Sequence, residues 1–183
     1  MEKRRCLSQF FGDLPYEKVN LINGSGANPI AFIAFLGDTR AITIGYNIYF
    51  NKEYYCTDFS ETRPSLLGHE YTHVWQYYTA KKRTTPGGIL LDSFGKNIAG
   101  KNAYAVDGVN KNTDFSTLGY EQQGEIVSKY ITSLQEGDAN KSIYEAILRS
   151  GGLLNEKKGN SGANNSNSPT RPTKMCPTSV PYF

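Results

Sequence analysis

Hydrophobic and polar positions alternate without a break from Ala41 to Phe50. Ile42, Ile44, Tyr46, Ile48 and Phe50 fall at one parity, and Ala41, Thr43, Gly45, Asn47 and Tyr49 at the other. A period of two belongs to a pleated strand, whose successive side chains leave opposite faces, so the pattern predicts one ten-residue strand. A shorter strand is predicted over Val19–Asn23, ended by the turn residues Gly24-Ser25-Gly26. The run from Pro29 to Leu36 is apolar throughout; with Asn28-Pro29 ahead of it and Gly37 behind it, a short capped helix fits better than a buried strand.

After Arg63 the period lengthens to that of a helix. Pro64 suits a first helical turn, where its missing N–H has no partner to lose, and the helix is predicted from about Pro64 to Tyr78. Leu66, His69, His73 and Tyr77 line one side, with Leu67, Val74 and Tyr78 beside them. Trp75 reads as a core residue. A second helix, from about Gly119 to Gln135, carries the stripe Ile126, Val127, Tyr130, Ile131 and Leu134; a third, from about Lys141 to Arg149, uses Ile143, Tyr144, Ile147 and Leu148 and ends at Gly151-Gly152. Between the first two helices, Pro86 to Leu118 is rich in Gly, Asn and Asp and reads as a long surface excursion, of the kind that forms the lid or wall of a site. From Asn155 to Lys174, Ala163 is the only apolar residue, too little to offset the entropy of ordering. The chain therefore divides into a domain over residues 1–154 and a disordered tail over 155–183, whose final Val180-Pro181-Tyr182-Phe183 reads as a frayed terminus.

Composition narrows the function. A chain of 183 residues with 13 Tyr, 9 Phe and one Trp can build one real core. Its 20 basic and 17 acidic residues leave a net charge of only +3, and the short clusters Lys3-Arg4-Arg5 and Lys81-Lys82-Arg83 form no stripe, so no nucleic-acid partner is expected. The three cysteines contain no C-x-x-C pair, which removes a cysteine zinc knuckle and leaves at most one bridge, such as Cys6 to Cys56. Residues 6–13 are too short and too polar for a secretory leader, and no stretch approaches the roughly 18 apolar residues of a membrane span. The expectation is a soluble chain, cytoplasmic or exported by a non-classical route.

The chemistry concentrates at His69-Glu70-Tyr71-Thr72-His73, which holds both histidines of the chain. Residues four apart share a helix face, so both imidazoles can reach one ion with Glu70 beside them. A catalytic zinc takes three protein ligands and keeps one open position, and with no histidine left the third ligand must be a carboxylate or a lone cysteine. Glu121, in the opening turn of the second helix, is best placed; Asp107 and Asp114 compete. Glu125, one turn on, faces the same way and can accept the outward N–H of a ligating imidazole, although a helix start favours carboxylates in any case. A tetrahedral oxyanion also needs a donor, and with both histidines committed Tyr104 and Tyr120 are the candidates; among 13 tyrosines, simple packing is the stronger reading for either one.

Leu67-Gly68-His69-Glu70-Tyr71-Thr72-His73-Val74-Trp75-Gln76, preceded by Ala41–Phe50 and followed by Glu121-Gln122-Gln123-Gly124-Glu125-Ile126-Val127, resembles small bacterial gluzincin-like zinc peptidase domains over roughly Leu14 to Tyr130. Such domains accompany toxin, effector or secretion-associated proteins. The resemblance implies an α+β, minimal zincin-like fold, with a small twisted sheet packed on an active-site helix and on a second, glutamate-bearing helix. Gly124 stands where alanine is expected, which reads as a mild change. The expected function is a Zn2+-dependent peptidase acting on a peptide or protein substrate, with His69, His73 and Glu121 on the metal and Glu70 as general base. The strand ending at Phe50 would border the cleft and pair with extended substrate. Two alternatives stand: a catalytically silent zinc-containing module beside a toxin or effector, and a hydrolase of cell-wall peptide crossbridges. A secretion-system or toxin-associated partner follows from the same resemblance.

Overall fold

The computed structural model describes Leu7 and residues 10–12, 14–81 and 103–154. Strands β1 (Asn20–Asn23), β2 (Ala41–Ile44) and β3 (Asn47–Phe50) form a mixed sheet in the order β1-β3-β2. β1 runs parallel to β3, pairing Asn20 with Asn47 and Asn23 with Phe50; β2 runs antiparallel to β3, pairing Ala41 with Phe50 and Ile44 with Asn47.

The alternating run is therefore a hairpin and not the single predicted strand. Gly45, at φ 64, opens a two-residue turn with Tyr46. Glycine reaches this left-handed region without the steric cost of a Cβ, and tight hairpin turns demand it. Alternation records the pleat and not the direction of the chain, so a two-residue reversal leaves the pattern intact. It does change the faces. Residues opposite each other in an antiparallel pair share a face, so Thr43 lies with its partner Ile48, and Ala41 with Phe50, while Ile42 goes with Tyr49. Ile48 and Phe50 are fully buried, which puts Thr43 on the core side of the sheet.

Five helices complete the described fold. The first, α1 (Pro29–Ala34), starts as the Asn-Pro signal predicts: Asn28 Oδ1 accepts from the N–H groups of Ile30 and Ala31 at 2.9 and 3.2 Å. A short α2 (Phe59–Thr62), unforeseen in the pattern, seats Phe59 against Phe50 with ring centroids 4.1 Å apart. The long α3 (Pro64–Lys81) begins at the proline, and α4 (Tyr120–Glu136) ends at Gly137; α5 (Lys141–Ser150) follows. α3 packs on both α4 and β2, and α5 packs on α4. The core between them contains Ile48, Phe50, Leu67, Val74, Ile126, Val127, Ile147 and Leu148, with Leu7, Phe10 and Phe11 added from the N-terminal segment.

This is the expected small α+β arrangement. The predicted surface excursion is corrected at its C-terminal end: a 3-10 turn at Phe115–Thr117 buries Phe115 in the core, its ring 6.2 Å from that of Trp75. A single phenylalanine among polar neighbours has no periodicity to announce it. No helix among the described residues is long and apolar enough to cross a membrane. The tail at 155–183, the start of the excursion, Lys3-Arg4-Arg5 and the Cys6 end of a bridge lie outside the described residues.

Candidate metal centre

Helix α3 sets His69 and His73 one turn apart, and the first turn of α4 brings Glu121 against them. His69 Nε2 and His73 Nε2 lie 3.1 Å apart, and each is 3.3 Å from Glu121 Oε2. Three donors around one tetrahedral ion, at bond lengths near 2.0 Å, stand about 3.3 Å from one another. The triangle therefore fits a metal ion, and these three residues could hold one. Neither Asp107 nor Asp114 joins the cluster. Asp114 caps the 3-10 turn, where its Oδ1 accepts from Ser116 N at 2.8 Å. That bond and one from the Ser116 hydroxyl hold its carboxyl below the usual range.

The site's electrostatics suit a cation. Burial opposes the charge on Glu121, but hydrogen bonds from His69 and His73 and their positive charge outweigh it, holding the carboxyl well below the usual carboxylate range. Burial likewise opposes charge on His73, but the hydrogen bond to Glu121, with the charges of Glu121 and Glu70, pushes its pKa up to about 9. An anion that draws a proton onto an imidazole would equally draw a metal.

Glu70 stands outside the triangle and is only 5 % exposed. Its Oε2 accepts a 2.7 Å hydrogen bond from Thr43 Oγ1, across the contact between α3 and β2. The pattern missed Thr43 because one continuous strand would put it on the face opposite Ile48. Gly45 in mid-pattern was the available signal. Gln76 was also missed as a partner of the site, although it lies one turn beyond His73; its Oε1 is 2.8 Å from His73 Nδ1.

The glycine at position 124 is not a mild departure. A Cβ there would meet the His69 ring at 2.8–3.0 Å, closer than packed atoms tolerate, so α4 can approach His69 only with glycine at this point. Glu125 Oε2 lies 3.9 Å from His69 Nδ1, beyond hydrogen-bond reach, and its Oε1 is 3.5 Å from Lys129 Nζ. Tyr104 lies beside His69, with centroids 5.8 Å apart and planes tilted by 31°, and keeps 44 % of its surface exposed. Tyr120 meets the network through its backbone carbonyl, which accepts from Gln76 Nε2 at 3.0 Å.

Residues 4–81 match the family described as the eCIS core domain. The matched segment contains His69, Glu70 and His73 and stops short of Glu121. No curated protein and no solved structure matches the chain.

Proposed function

We propose that the chain is a zinc-dependent peptidase of gluzincin type that works beside a contractile injection system or its toxin cargo. The observation that carries this reading is the three-donor triangle with a buried, non-ligating Glu70 next to it. Two imidazoles and one carboxylate form a donor set of catalytic zinc. When bound, zinc would lower the pKa of water towards neutrality and polarise a carbonyl.

The chain's own groups would do the rest. Glu70 takes the proton of the attacking water on Oε1 while Thr43 holds Oε2, and then delivers it to the leaving amine. Tyr104, exposed beside His69, is the better placed of the two tyrosines to donate to the developing oxyanion. Strand β2 occupies an edge of the sheet and packs on α3, so an extended peptide could add to it alongside the motif. The match over residues 4–81 supports the injection-system partner.

A second reading is a metal-holding module without turnover, which that match accommodates because its description names no reaction. Glu70 weighs against it: a structural zinc fills four positions with protein ligands, whereas three donors converge among the described residues. Metal analysis of the purified chain tests the shared premise. About one zinc per chain is expected, with loss in His73→Ala; full retention in that variant would sink the ligand assignment.

A further inference from the structure

Hydrogen bonds continue outward from His73 through two buried side-chain amides. Gln123 Nε2 faces the carbonyl oxygens of Phe115 and Leu118 at 3.1 and 3.2 Å. Backbone carbonyls only accept, so this end of Gln123 must be its NH2 group and Oε1 its other end. Gln123 Oε1 faces Gln76 Nε2 at 2.9 Å, and that nitrogen also donates to Tyr120 O at 3.0 Å. Gln76 is thereby oriented as well. Its Oε1 is left facing His73 Nδ1 at 2.8 Å, and an acceptor there requires the ring nitrogen to carry the proton. With Nδ1 protonated, the lone pair of the neutral ring lies on Nε2, the atom turned towards His69 and Glu121.

We propose that Gln76 and Gln123 form a directional amide relay that presets His73 as an Nε2 metal ligand. The relay also couples metal affinity to the seating of the Phe115–Gly119 segment at the head of α4. Three backbone carbonyls that cannot reverse their polarity fix its direction, and both glutamines are buried among them. They are positioning residues acting through His73. The inference rests on the metal-centre reading and not on peptidase activity.

A directional relay makes an unusual demand. A carboxylate would be the stronger acceptor for an imidazole N–H, yet Gln76→Glu would aim an oxygen at Tyr120 O and Gln123 Oε1. If Gln76 were a mere acceptor, that variant would bind metal more tightly. The relay predicts weaker binding, and it predicts the same for Gln123→Glu, which touches no ligand.

The test measures zinc affinity of the full chain by competition with a chromogenic chelator, for wild type, Gln76→Glu and Gln123→Glu, with folding checked by circular dichroism. Both variants should lose roughly ten- to a hundredfold in affinity. In zinc-loaded wild type, the His73 Nδ1 proton should be visible by NMR and slow to exchange, a readout that needs no variant. Wild-type affinity in folded Gln123→Glu, tighter binding in Gln76→Glu, or metal on Nδ1 would overturn the relay. A wild type that binds no zinc would overturn the metal centre and the relay with it, whereas a loaded wild type with indifferent variants overturns the relay alone.

Discussion

Thr43 Oγ1 donates to Glu70 Oε2 over 2.7 Å, tying the edge strand of the sheet to the glutamate of the histidine motif. The bond exists because the chain reverses at Gly45, which turns Thr43 to the face of Ile48 and Phe50. It fixes the carboxylate's orientation and occupies one of its oxygens.

Removing that hydroxyl should slow turnover without emptying the site. A hydrogen bond to a charged group is worth about 1.5–3 kcal/mol, which corresponds to roughly ten- to a hundredfold in rate. Thr43→Val should lose about that much kcat, with zinc content and KM near wild type, and Thr43→Ser should recover most of it. Unchanged kcat in Thr43→Val would remove Thr43 from the account.

Gly124→Ala should weaken metal binding. Alanine gains about 1 kcal/mol over glycine inside a helix, but its Cβ would press on the His69 ring. These effects oppose each other in thermal stability, so affinity is the cleaner readout. A loss of at least about tenfold by chelator competition is expected, in the range that displaced supporting contacts cause. Wild-type affinity would show that His69 can yield at no cost.

The fold was legible wherever periodicity alone decides. The starts of α3 and α4 and the asparagine cap of α1 follow from side-chain spacing or local capping chemistry, although α3 runs three residues past its predicted end at Tyr78. Glu121 was singled out by its place in a helix start and the lack of a third histidine, and it meets the two histidines only through the packing of α3 on α4. What escaped depends on chain direction or on contacts between distant segments. Ala41–Phe50 alternates identically as a strand or as a hairpin, and only the glycine's backbone distinguishes them. Gln76 and Gln123 are 47 residues apart and meet only because α3 and α4 pack, and Phe115 has no apolar neighbour in its own turn to mark it as core.

Proton release should accompany metal binding. Metal-free His73 holds its proton below a pKa of about 9, while a metal needs the Nε2 lone pair, so protons compete and affinity falls as pH falls. Near neutral pH, binding should release about one proton from His73, and affinity should rise by up to about tenfold per pH unit as the pKa is approached from below. Calorimetry in two buffers of different ionisation enthalpy counts the protons. Release that is absent at neutral pH would contradict the pairing of Glu121 with His73.

The decisive comparison is peptide hydrolysis by wild type and Glu70→Gln, each loaded with zinc, on one peptide library. The variant should keep its metal and lose roughly 10²- to 10⁴-fold in rate, the contribution of a positioned general base. Cleavage by Glu70→Gln at the wild-type rate, or a zinc-loaded wild type that cleaves no peptide, would contradict the account.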